Sequence, residues 1–250
     1  MDFTGKKVII TGGASGIGRS AALNFAKRGA DVAVIDLNIE EAEKTCEQIN
    51  EMGSKSLALK VDITNLEEVV SMAKKVNEFF GRIDILVNNA AWDEIEFFME
   101  TTPPLWEKLI QINLMGHINC TKAVLEYMIK QEKGVIVYVA SDAARVGSFG
   151  ESVYSAAKGG VLSFSKTMAR EMARYNIRVN CICPGPTLTP LFEEVREKAP
   201  NVVKAIIKSI PMKRLAQPEE IANGIVFLAS DLASFINGQA LSINGGLNML

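Results

Sequence analysis

Short apolar runs alternate with longer amphipathic segments along almost the whole chain. The apolar runs predict seven strands, at residues 8–10, 32–35, 56–60, 83–87, 135–139, 178–182 and 240–243. The segments between them carry the periodicity typical of helices and predict helices at 39–51, 66–80, 104–130, 152–175 and 218–229. This alternation favours an α/β fold: a single-domain, doubly wound, seven-stranded parallel sheet with helices on both faces, over residues 1–250.

Residues 187–211 interrupt this alternation. Prolines are concentrated in and beside the segment, together with two amphipathic stretches at 191–195 and 202–208. In doubly wound sheets, ligands bind beyond the carboxyl ends of the strands, which is where this segment begins. We therefore predict a small helical lid over the substrate. The alternative is an ordinary helical hairpin on the surface.

A glycine-rich turn joins the first predicted strand to the first helix. It reads Thr11-Gly12-Gly13-Ala14-Ser15-Gly16-Ile17-Gly18. Glycines allow a tight turn and a close approach to pyrophosphate, and the N-terminus of the following helix attracts the phosphate charge. The strand, turn, helix and second strand therefore predict a Rossmann-type dinucleotide site. The alternative is a glycine turn without a ligand.

Asp36 ends the second predicted strand, where a carboxylate accepts hydrogen bonds from both ribose hydroxyls of NAD. The same charge repels the additional phosphate of NADP. Leu37 and Ser15 are not basic, so neither offers that phosphate a cation. The sequence predicts NAD as the cofactor, although an aspartate at a strand end is also compatible with plain solvation.

Composition excludes several other classes of protein. The 250 residues carry a net charge of −2, which implies no broad basic surface for nucleic acid, and no apolar run is long enough to span a membrane. The amino terminus lacks the apolar core of a signal peptide. The four cysteines form no Cys-x-x-Cys pair, and His117 is the single histidine. We expect a cytoplasmic protein with free thiols and without a metal site, in which His117 packs or forms a hydrogen bond on its helix.

Tyr154 and Lys158 lie four residues apart in a predicted helix, and Ser141 precedes them. A spacing of four places phenol and ammonium on one helix face. A nearby ammonium favours the phenolate and lowers the tyrosine pKa toward the working range, while a serine hydroxyl holds a substrate oxygen. These groups are suited to moving a proton on or off an alcohol while a bound cofactor takes or gives the hydride.

Together these residues resemble the short-chain dehydrogenase/reductase family, and the resemblance extends over the whole chain. Beyond the glycine turn, it rests on Asp62, on Asn88-Asn89-Ala90, on Asn113, and on Pro184-Gly185 with Thr189. The sequence departs from the family pattern at Ala91, where glycine is usual, and at Asn244, where an aspartate usually precedes two glycines. We expect the additional methyl group of Ala91 to matter little unless the backbone there needs a positive φ.

The resemblance implies a catalytic tetrad of Asn113, Ser141, Tyr154 and Lys158. Ser141 would hold the substrate oxygen, Tyr154 would be the general acid/base, Lys158 would bind the nicotinamide ribose, and Asn113 would fix a water in a proton relay. It also implies a homotetramer formed through helices 104–130 and 152–175. The implied cofactor-binding residues are Gly12, Ser15, Gly16, Ile17, Gly18, Asp36, Asp62, Ile63, Asn89, Ala90, Tyr154, Lys158, Pro184, Gly185, Thr187 and Thr189.

Residues 141–154 are similar to those of family members that oxidise 2-hydroxycyclohexane-1-carbonyl-CoA. Trp92, Val146, Phe149, Leu188, Leu191 and Phe192 are candidates for an apolar wall around a ring or alkyl group. Cations at Arg145, Lys204, Lys208, Lys213 and Arg214 are candidates for binding the phosphates of coenzyme A, or are merely solvated. The prediction is NAD-dependent oxidation of a cyclic β-hydroxyacyl-CoA to its ketone.

Two other functions remain open at this point. A general 3-hydroxyacyl, polyol or steroid-type alcohol dehydrogenase or reductase would use the same catalytic residues. A catalytically silent NAD-binding subunit belongs to a different class, since one scaffold can host different functions. Such a subunit would be expected to lack a member of the tetrad, whereas this sequence keeps all four.

Overall fold

The computed structural model describes residues 1–190, 192–193 and 200–249, and their strands form one sheet. The strands are β1 Lys7–Thr11, β2 Asp31–Asp36, β3 Ser56–Lys60, β4 Ile85–Asn88, β5 Gly134–Val139, β6 Ile177–Pro184 and β7 Ala240–Ile243. They are all parallel, in the order β3-β2-β1-β4-β5-β6-β7. This confirms the predicted doubly wound, seven-stranded sheet.

The described helices are α1 Gly16–Ala26, α2 Ile39–Glu51, α3 Leu66–Phe80, α4 Pro103–Ile110, α5 Gly116–Lys130, α6 Ala143–Val146, α7 Ser152–Met172, α8 Pro200–Ser209 and α9 Pro218–Ala229. Short 3₁₀ turns occupy Phe98–Glu100, Ala173–Tyr175 and Asp231–Ala233, and a π-helical turn occupies Gln111–Met115. None of the described helices is both long enough and apolar enough to cross a bilayer.

The predicted helix at 104–130 proves to be two α-helices joined by the π-helical turn Gln111–Met115. Within that turn, the Asn113 amide donates to the Leu109 carbonyl at 3.0 Å and so competes for a carbonyl of the preceding helix. Wide turns of this kind are frequent at functional sites. The hydrophobic periodicity runs through the turn, which is why it predicted one continuous helix.

Both faces of the sheet are buried under helices, and successive strand residues alternate between two cores. In β1, Ile9 belongs to the core beneath α3, α5 and α7. Its neighbours Val8 and Ile10 belong to the core beneath α1, α2 and α9. Burial on both faces explains why the strands read as continuous apolar runs. Because all strands run parallel, the polar residues at their carboxyl ends lie along one edge of the sheet.

Candidate active site

The glycine turn between β1 and α1 leaves no room for side chains at two of its positions. Gly12 has φ +66°, and a Cβ there would lie 2.8 Å from the Ala90 Cα. A Cβ on Gly18 would lie 2.0 Å from the Gly12 carbonyl oxygen. Ser15 is exposed at the start of α1, and Ile17 is partly buried. The turn has the close backbone packing that a pyrophosphate site at a helix N-terminus requires.

Thr11, Asn89 and Ala90 hold this turn in place. The Thr11 hydroxyl accepts hydrogen bonds from the backbone N–H groups of Asn89 and Ala90, at 3.0 and 3.1 Å. The Asn89 amide donates to the carbonyls of Thr11 and Gly12, at 3.0 and 3.1 Å. Asn89 was predicted to bind the cofactor, yet its amide donors are engaged by the turn, so its contribution is to shape the site. The buried Thr11 was not predicted as a site residue.

The Asp36 carboxylate lies over the same turn. It accepts hydrogen bonds from the backbone N–H groups of Ala14 and Asn38, each at 3.0 Å. Each carboxylate oxygen keeps a further lone pair for a ribose hydroxyl. Arg19, in the following helix, forms a 2.5 Å ion pair with Glu41. The arrangement places a negative charge where the two forms of the nicotinamide cofactor differ.

Asp62 and Ile63 form a fixed corner after β3. The Asp62 carboxylate accepts from the N–H and hydroxyl of Thr64, at 2.9 and 2.8 Å. The Asn119 amide donates to the Ile63 carbonyl at 3.0 Å, and Gly116 allows close packing, since a Cβ there would lie 2.4 Å from the Ile63 side chain. These contacts therefore hold both residues, which were predicted to bind the cofactor, in one conformation.

The segment after β6 returns to the glycine turn. Pro184 ends the strand, and the Thr187 hydroxyl donates to the Gly185 carbonyl at 2.8 Å. Thr189 approaches Gly16 so closely that a Cβ on that glycine would lie 3.3 Å from the threonine methyl. The segment predicted to flank the nicotinamide thus adjoins the turn predicted to bind the pyrophosphate.

Ser141, Tyr154 and Lys158 come together beyond the end of β5. The Ser141 hydroxyl is hydrogen-bonded to the Tyr154 phenol. Lys158 is 1% exposed, and its Nζ lies 5.8 Å from the centre of the Tyr154 ring. That Nζ donates to the Val139 carbonyl at 3.0 Å. A hydroxyl, a phenol and an amine therefore lie around one point at the carboxyl edge of the sheet.

The prediction that Lys158 lowers the tyrosine pKa is wrong for the charges of this chain. Burial raises the pKa of Tyr154, the carboxyls of Asp93 and Glu151 raise it further, and the Ser141 hydrogen bond lowers it by less. Burial lowers the pKa of Lys158 to about 8. The phenolate is disfavoured because two carboxyls face it and because burial weakens the positive charge of the lysine.

Asn113 holds the segment that follows β4. Its amide donates to the carbonyls of Trp92 and Leu109, at 2.7 and 3.0 Å, and its Oδ1 accepts from the Trp92 N–H at 3.2 Å. Both amide hydrogens are therefore engaged with backbone. The side chain fixes the path of Trp92, and a water could only approach its remaining oxygen lone pair or its backbone.

Asp93 and Glu151 form a carboxyl pair that the sequence did not predict. Their side chains are hydrogen-bonded to each other, and burial and Glu151 together raise the pKa of Asp93 to about 8. The Glu96 N–H donates to the Gly150 carbonyl at 2.9 Å and so joins the two segments that carry the pair. Glu151 lines the same small cavity as Tyr154. The pair therefore holds a proton beside the phenol.

Comparison with known proteins identifies the family. A family model described as enoyl-(acyl carrier protein) reductase matches residues 12–248. The 3-oxoacyl-[acyl-carrier-protein] reductase FabG of Thermotoga maritima is 38% identical over 247 residues, covering 99% of each chain. The chain belongs to the short-chain dehydrogenase/reductase family. It is thus an oxidoreductase that acts on hydroxyl or keto groups with a nicotinamide cofactor.

Two further members of this family resemble the chain over its full length. The (2S)-[(R)-hydroxy(phenyl)methyl]succinyl-CoA dehydrogenase subunit BbsD of Thauera aromatica is 36% identical over 249 residues, covering 100% of this chain and 99% of the relative. The crystal structure of NAD+-bound xylitol dehydrogenase superposes with a TM-score of 0.94 at 32% identity, covering 98% of this chain and 100% of that one.

Ala91 departs from the short-chain dehydrogenase/reductase pattern without strain. Among the described residues, positive φ outside glycine occurs at Glu132, Asn176 and Lys213. Ala91 therefore keeps a conformation open to any residue, as expected from the sequence. Asn244, the other departure, donates a hydrogen bond to Asp142 and accepts one from the Gly246 N–H at 3.0 Å.

The predicted apolar wall is loosely assembled. Trp92 is partly buried, with the Lys108 Nζ over its ring at 3.4 Å from the centre. Val146 is 50% exposed and Phe149 is 90% exposed. Phe192 is partly buried, whereas Leu191 lies outside the described residues. The structure thus offers exposed apolar side chains near the catalytic groups rather than a closed pocket.

Arg145 is held against the last strand of the sheet. Its guanidinium donates to the Ala240 carbonyl of β7 and forms a hydrogen bond with Cys183. These contacts tie the segment after Ser141 to the sheet. One terminal nitrogen of the guanidinium is engaged by the Ala240 carbonyl, while the buried Nε has no hydrogen-bond partner among the described residues. Binding of the CoA phosphates by Arg145 stays a prediction.

The cationic side chains beyond residue 200 differ in whether another group engages their charge. Arg214 forms a two-point ion pair with Glu220, at 2.6 Å for each contact. The Lys213 Nζ donates to the Lys208 carbonyl at 2.7 Å. Lys204 and Lys208 are exposed on α8. Those two lysines are the candidates that retain free charge on the predicted lid.

His117 has the structural role that the sequence predicts. It is fully buried, and its Nε2 lies 2.9 Å from the Ala90 carbonyl. Burial lowers its pKa to about 3, with a smaller contribution from Lys158. The ring is therefore neutral, and its Nε2 must carry the hydrogen because the carbonyl only accepts.

Proposed function

We propose that the protein catalyses NAD-dependent oxidation of a secondary alcohol to a ketone, with a cyclic β-hydroxyacyl-CoA as substrate. The observation that carries the chemistry is the convergence of Ser141, Tyr154 and Lys158 beside the glycine turn. Bound NAD+ supplies the hydride acceptor in this reaction. The protein supplies proton transfer, orientation of the alcohol and the cofactor pocket.

The proton transfer assigns one role to each group. Ser141, already hydrogen-bonded to Tyr154, holds the substrate oxygen beside the phenol. For oxidation, the Tyr154 phenol would first release its own proton and then accept that of the substrate hydroxyl; in the reverse direction the protonated phenol would donate. Lys158, whose Nζ donates to the Val139 carbonyl, would bind the nicotinamide ribose, and Asn113 fixes the neighbouring segment. General acid/base catalysis of this kind contributes about 10²–10⁴-fold to a rate.

The choice of NAD over NADP rests on Asp36 and its surroundings. Its carboxylate lies over the glycine turn. Leu37 is exposed and apolar, Ser15 is neutral, and Arg19 is paired with Glu41. A 2′-phosphate would therefore meet a negative charge, with these neighbours offering no free cation. The NAD+-bound xylitol dehydrogenase structure is consistent with this choice.

The substrate class rests on three observations. The relative BbsD is named for a CoA ester that bears a secondary hydroxyl. Trp92, Val146 and Phe149, on the segments that carry Asp93 and Ser141, are partly buried or exposed apolar side chains of the kind that a ring requires. Lys204 and Lys208 provide free positive charge on α8 for the phosphates of the CoA moiety. We propose that the segment 187–211, of which residues 191 and 194–199 lie outside the described residues, is the substrate lid.

The test is NADH absorbance with a panel of cyclic, aromatic and linear 3-hydroxyacyl-CoA thioesters, each paired with its free acid. We expect the cyclic thioester to have the highest kcat/KM and to exceed its free acid clearly. Equal rates on acid and thioester would remove the CoA assignment. Absence of NADH formation across the whole panel would favour the silent-subunit alternative.

A second candidate is the reverse reaction, reduction of a 3-oxoacyl thioester. Two observations favour it: the relative FabG is named for that reaction, and the raised pKa of Tyr154 keeps the phenol protonated and able to donate. Running the same thioesters as ketones with NADH and NADPH separates the candidates. A ketone preference with NADPH would support the reductase. We also propose a homotetramer, which light scattering on the purified protein tests.

A further inference from the structure

The carboxylate of Asp142, directly after Ser141, is bound by residues from the end of the chain. Asp142 is 4% exposed. Its carboxylate accepts from the Ser242 hydroxyl at 2.9 Å, from the Asn248 amide at 3.2 Å and from the Asn244 amide. A buried carboxylate held by neutral donors depends on each of them, because removing a donor leaves its charge less compensated.

The amide of Asn244 is fixed in one orientation. Its Oδ1 accepts from the Gly246 N–H at 3.0 Å, and its Nδ2 donates to the Asn248 carbonyl at 2.8 Å as well as to Asp142. A flipped amide would place its oxygen against a carbonyl and a carboxylate. An aspartate at this position, the usual residue of the family, would do the same with a negative charge. The asparagine is therefore matched to the facing Asp142.

The same turn, residues 244–248, also contacts the base of the predicted lid. The Met212 N–H donates to the Gly245 carbonyl at 3.2 Å. A Cβ on Gly245 would lie 2.8 Å from the Ile210 side chain, so the two segments touch. On the other side, the Asp142 N–H donates to the Pro184 carbonyl at 3.0 Å, and the Ala143 N–H donates to the Ser141 hydroxyl at 3.1 Å.

We propose that Asn244 is a positioning residue that acts through Asp142 to hold Ser141 against Tyr154. The contact chain runs from the 244–248 turn to the Asp142 carboxylate, and from the Asp142–Ala143 backbone to the serine hydroxyl. The turn also touches the segment that follows α8, so that segment and the serine share one support. The proposal rests on the proposed function only for the substrate of its kinetic assay.

The first test compares Asn244→Asp with the swapped pair Asp142→Asn/Asn244→Asp and with the control Asn50→Asp. Asn50 is exposed on α2 and also gains one negative charge, while its Oδ1 remains an acceptor for Ser56. We expect Asn244→Asp to lower kcat about tenfold, a size common for coupled contacts, with the NADH dissociation constant unchanged. The swap restores an amide–carboxylate pair and should recover most of that loss.

A second kinetic test separates positioning of the serine from general loss of structure. In a Ser141→Ala background, Asn244→Asp should change kcat less than twofold, because the group that it positions is gone. An equally large loss in both backgrounds would overturn the proposal, and so would wild-type kcat in Asn244→Asp alone. If Asn244→Asp fails to fold, recovery of folding and kcat in the swap supports the proposal, and failure to recover them overturns it.

Hydrogen exchange gives a readout that needs no substrate. In Asn244→Asp the backbone amides of Asp142 and Ala143 should exchange faster than in wild type, and the swap should slow them again. Unchanged exchange at both amides would contradict the proposal. If the wild-type protein turns over none of the proposed substrates, the proposed function fails. The exchange rates of the Asp142 and Ala143 amides would still test whether Asn244 positions this segment.

Discussion

The side chain of Asn113 binds both backbone groups of Trp92. Its amide donates to the Trp92 carbonyl at 2.7 Å, and its Oδ1 accepts from the Trp92 N–H at 3.2 Å. The π-helical turn Gln111–Met115 places the asparagine at this segment. Asp93 of the carboxyl pair directly follows Trp92. The contact therefore also fixes the backbone that carries the Asp93 carboxyl.

Replacing Asn113 by aspartate should destabilise the fold and slow turnover. The change removes two donated hydrogen bonds and buries a carboxylate against the carbonyls of Trp92 and Leu109. The expected loss is about 3 kcal/mol in the free energy of unfolding. Urea denaturation measures it, with Asn50→Asp as the control of equal charge. A variant as stable as that control would show that the contact with Trp92 contributes little.

Asp93 should make the stability depend on pH in a defined direction. Its pKa is raised from 3.8 to about 8 in the folded protein. Between about pH 4 and pH 8 the folded protein therefore holds a proton that the unfolded chain has released. Its contribution to stability is present at low pH and is lost as the pH rises through that window. Two other groups act in the opposite sense. His117, whose pKa is lowered from 6.5 to about 3, raises stability with pH below about pH 6.5. Lys158, whose pKa is lowered to about 8, does so above about pH 8.

Urea denaturation at several pH values from about 6.5 to 8, above the range in which His117 contributes, measures this dependence in wild type and in Asp93→Asn. The substitution should flatten the decline of the unfolding free energy, because position 93 no longer titrates. Glu94→Gln is the control, since Glu94 is an exposed neighbour from which one carboxylate is also removed. An equal slope in wild type and Asp93→Asn would contradict the raised pKa of Asp93.

The sheet was predictable from the sequence because its signal is local. The central strands are buried on both faces, so their apolar runs are continuous, and the helices between strands show a clear helical periodicity. The break at Gln111–Met115 was not predictable in this way. It involves the side chain of Asn113, whose partner Trp92 lies far away in the sequence. The hydrophobic periodicity of a segment does not indicate a contact with a residue far away in the sequence.

Cofactor preference should respond to the charge at the end of β2. The double substitution Asp36→Ala/Leu37→Arg removes the carboxylate and supplies a guanidinium for a 2′-phosphate. The ratio of kcat/KM for NAD to that for NADP should fall about tenfold or more. The control Leu37→Gln keeps Asp36 and should leave the preference for NAD intact. A wild-type preference for NADP would refute the role given to Asp36.

The exposed lysines on α8 should affect CoA thioesters selectively. Lys204→Ala/Lys208→Ala should raise KM for the CoA thioester about fivefold, since exposed ion pairs are individually weak. It should leave KM for the matching N-acetylcysteamine thioester unchanged, because that ester has no phosphates. The control Lys27→Ala/Lys55→Ala removes two exposed lysines remote from the catalytic edge. Equal increases in KM for both thioesters would show that the lysines on α8 do not bind the CoA phosphates.

The proximity of the proposed catalytic groups was predictable from the sequence, but their electrostatics were not. Motif spacing placed Tyr154 and Lys158 on one helix face, where the structure has them. The direction of the tyrosine pKa shift depends on burial and on the carboxyls of Asp93, which lies far away in the sequence, and of Glu151, at the N-cap of α7. Arg145 illustrates the same limit, since its partner Ala240 lies in another strand. Pairwise reasoning along the chain does not show which charges the fold brings together.

The most direct test of the central claim compares NADH formation by wild type and Tyr154→Phe on the cyclic β-hydroxyacyl-CoA. The substitution keeps the ring and removes only the hydroxyl that transfers the proton. Turnover should fall by about 10²–10⁴-fold, while NADH binding, followed by fluorescence, stays at the wild-type value. Turnover in Tyr154→Phe close to that of wild type would show that this phenol is not the acid/base group of the enzyme.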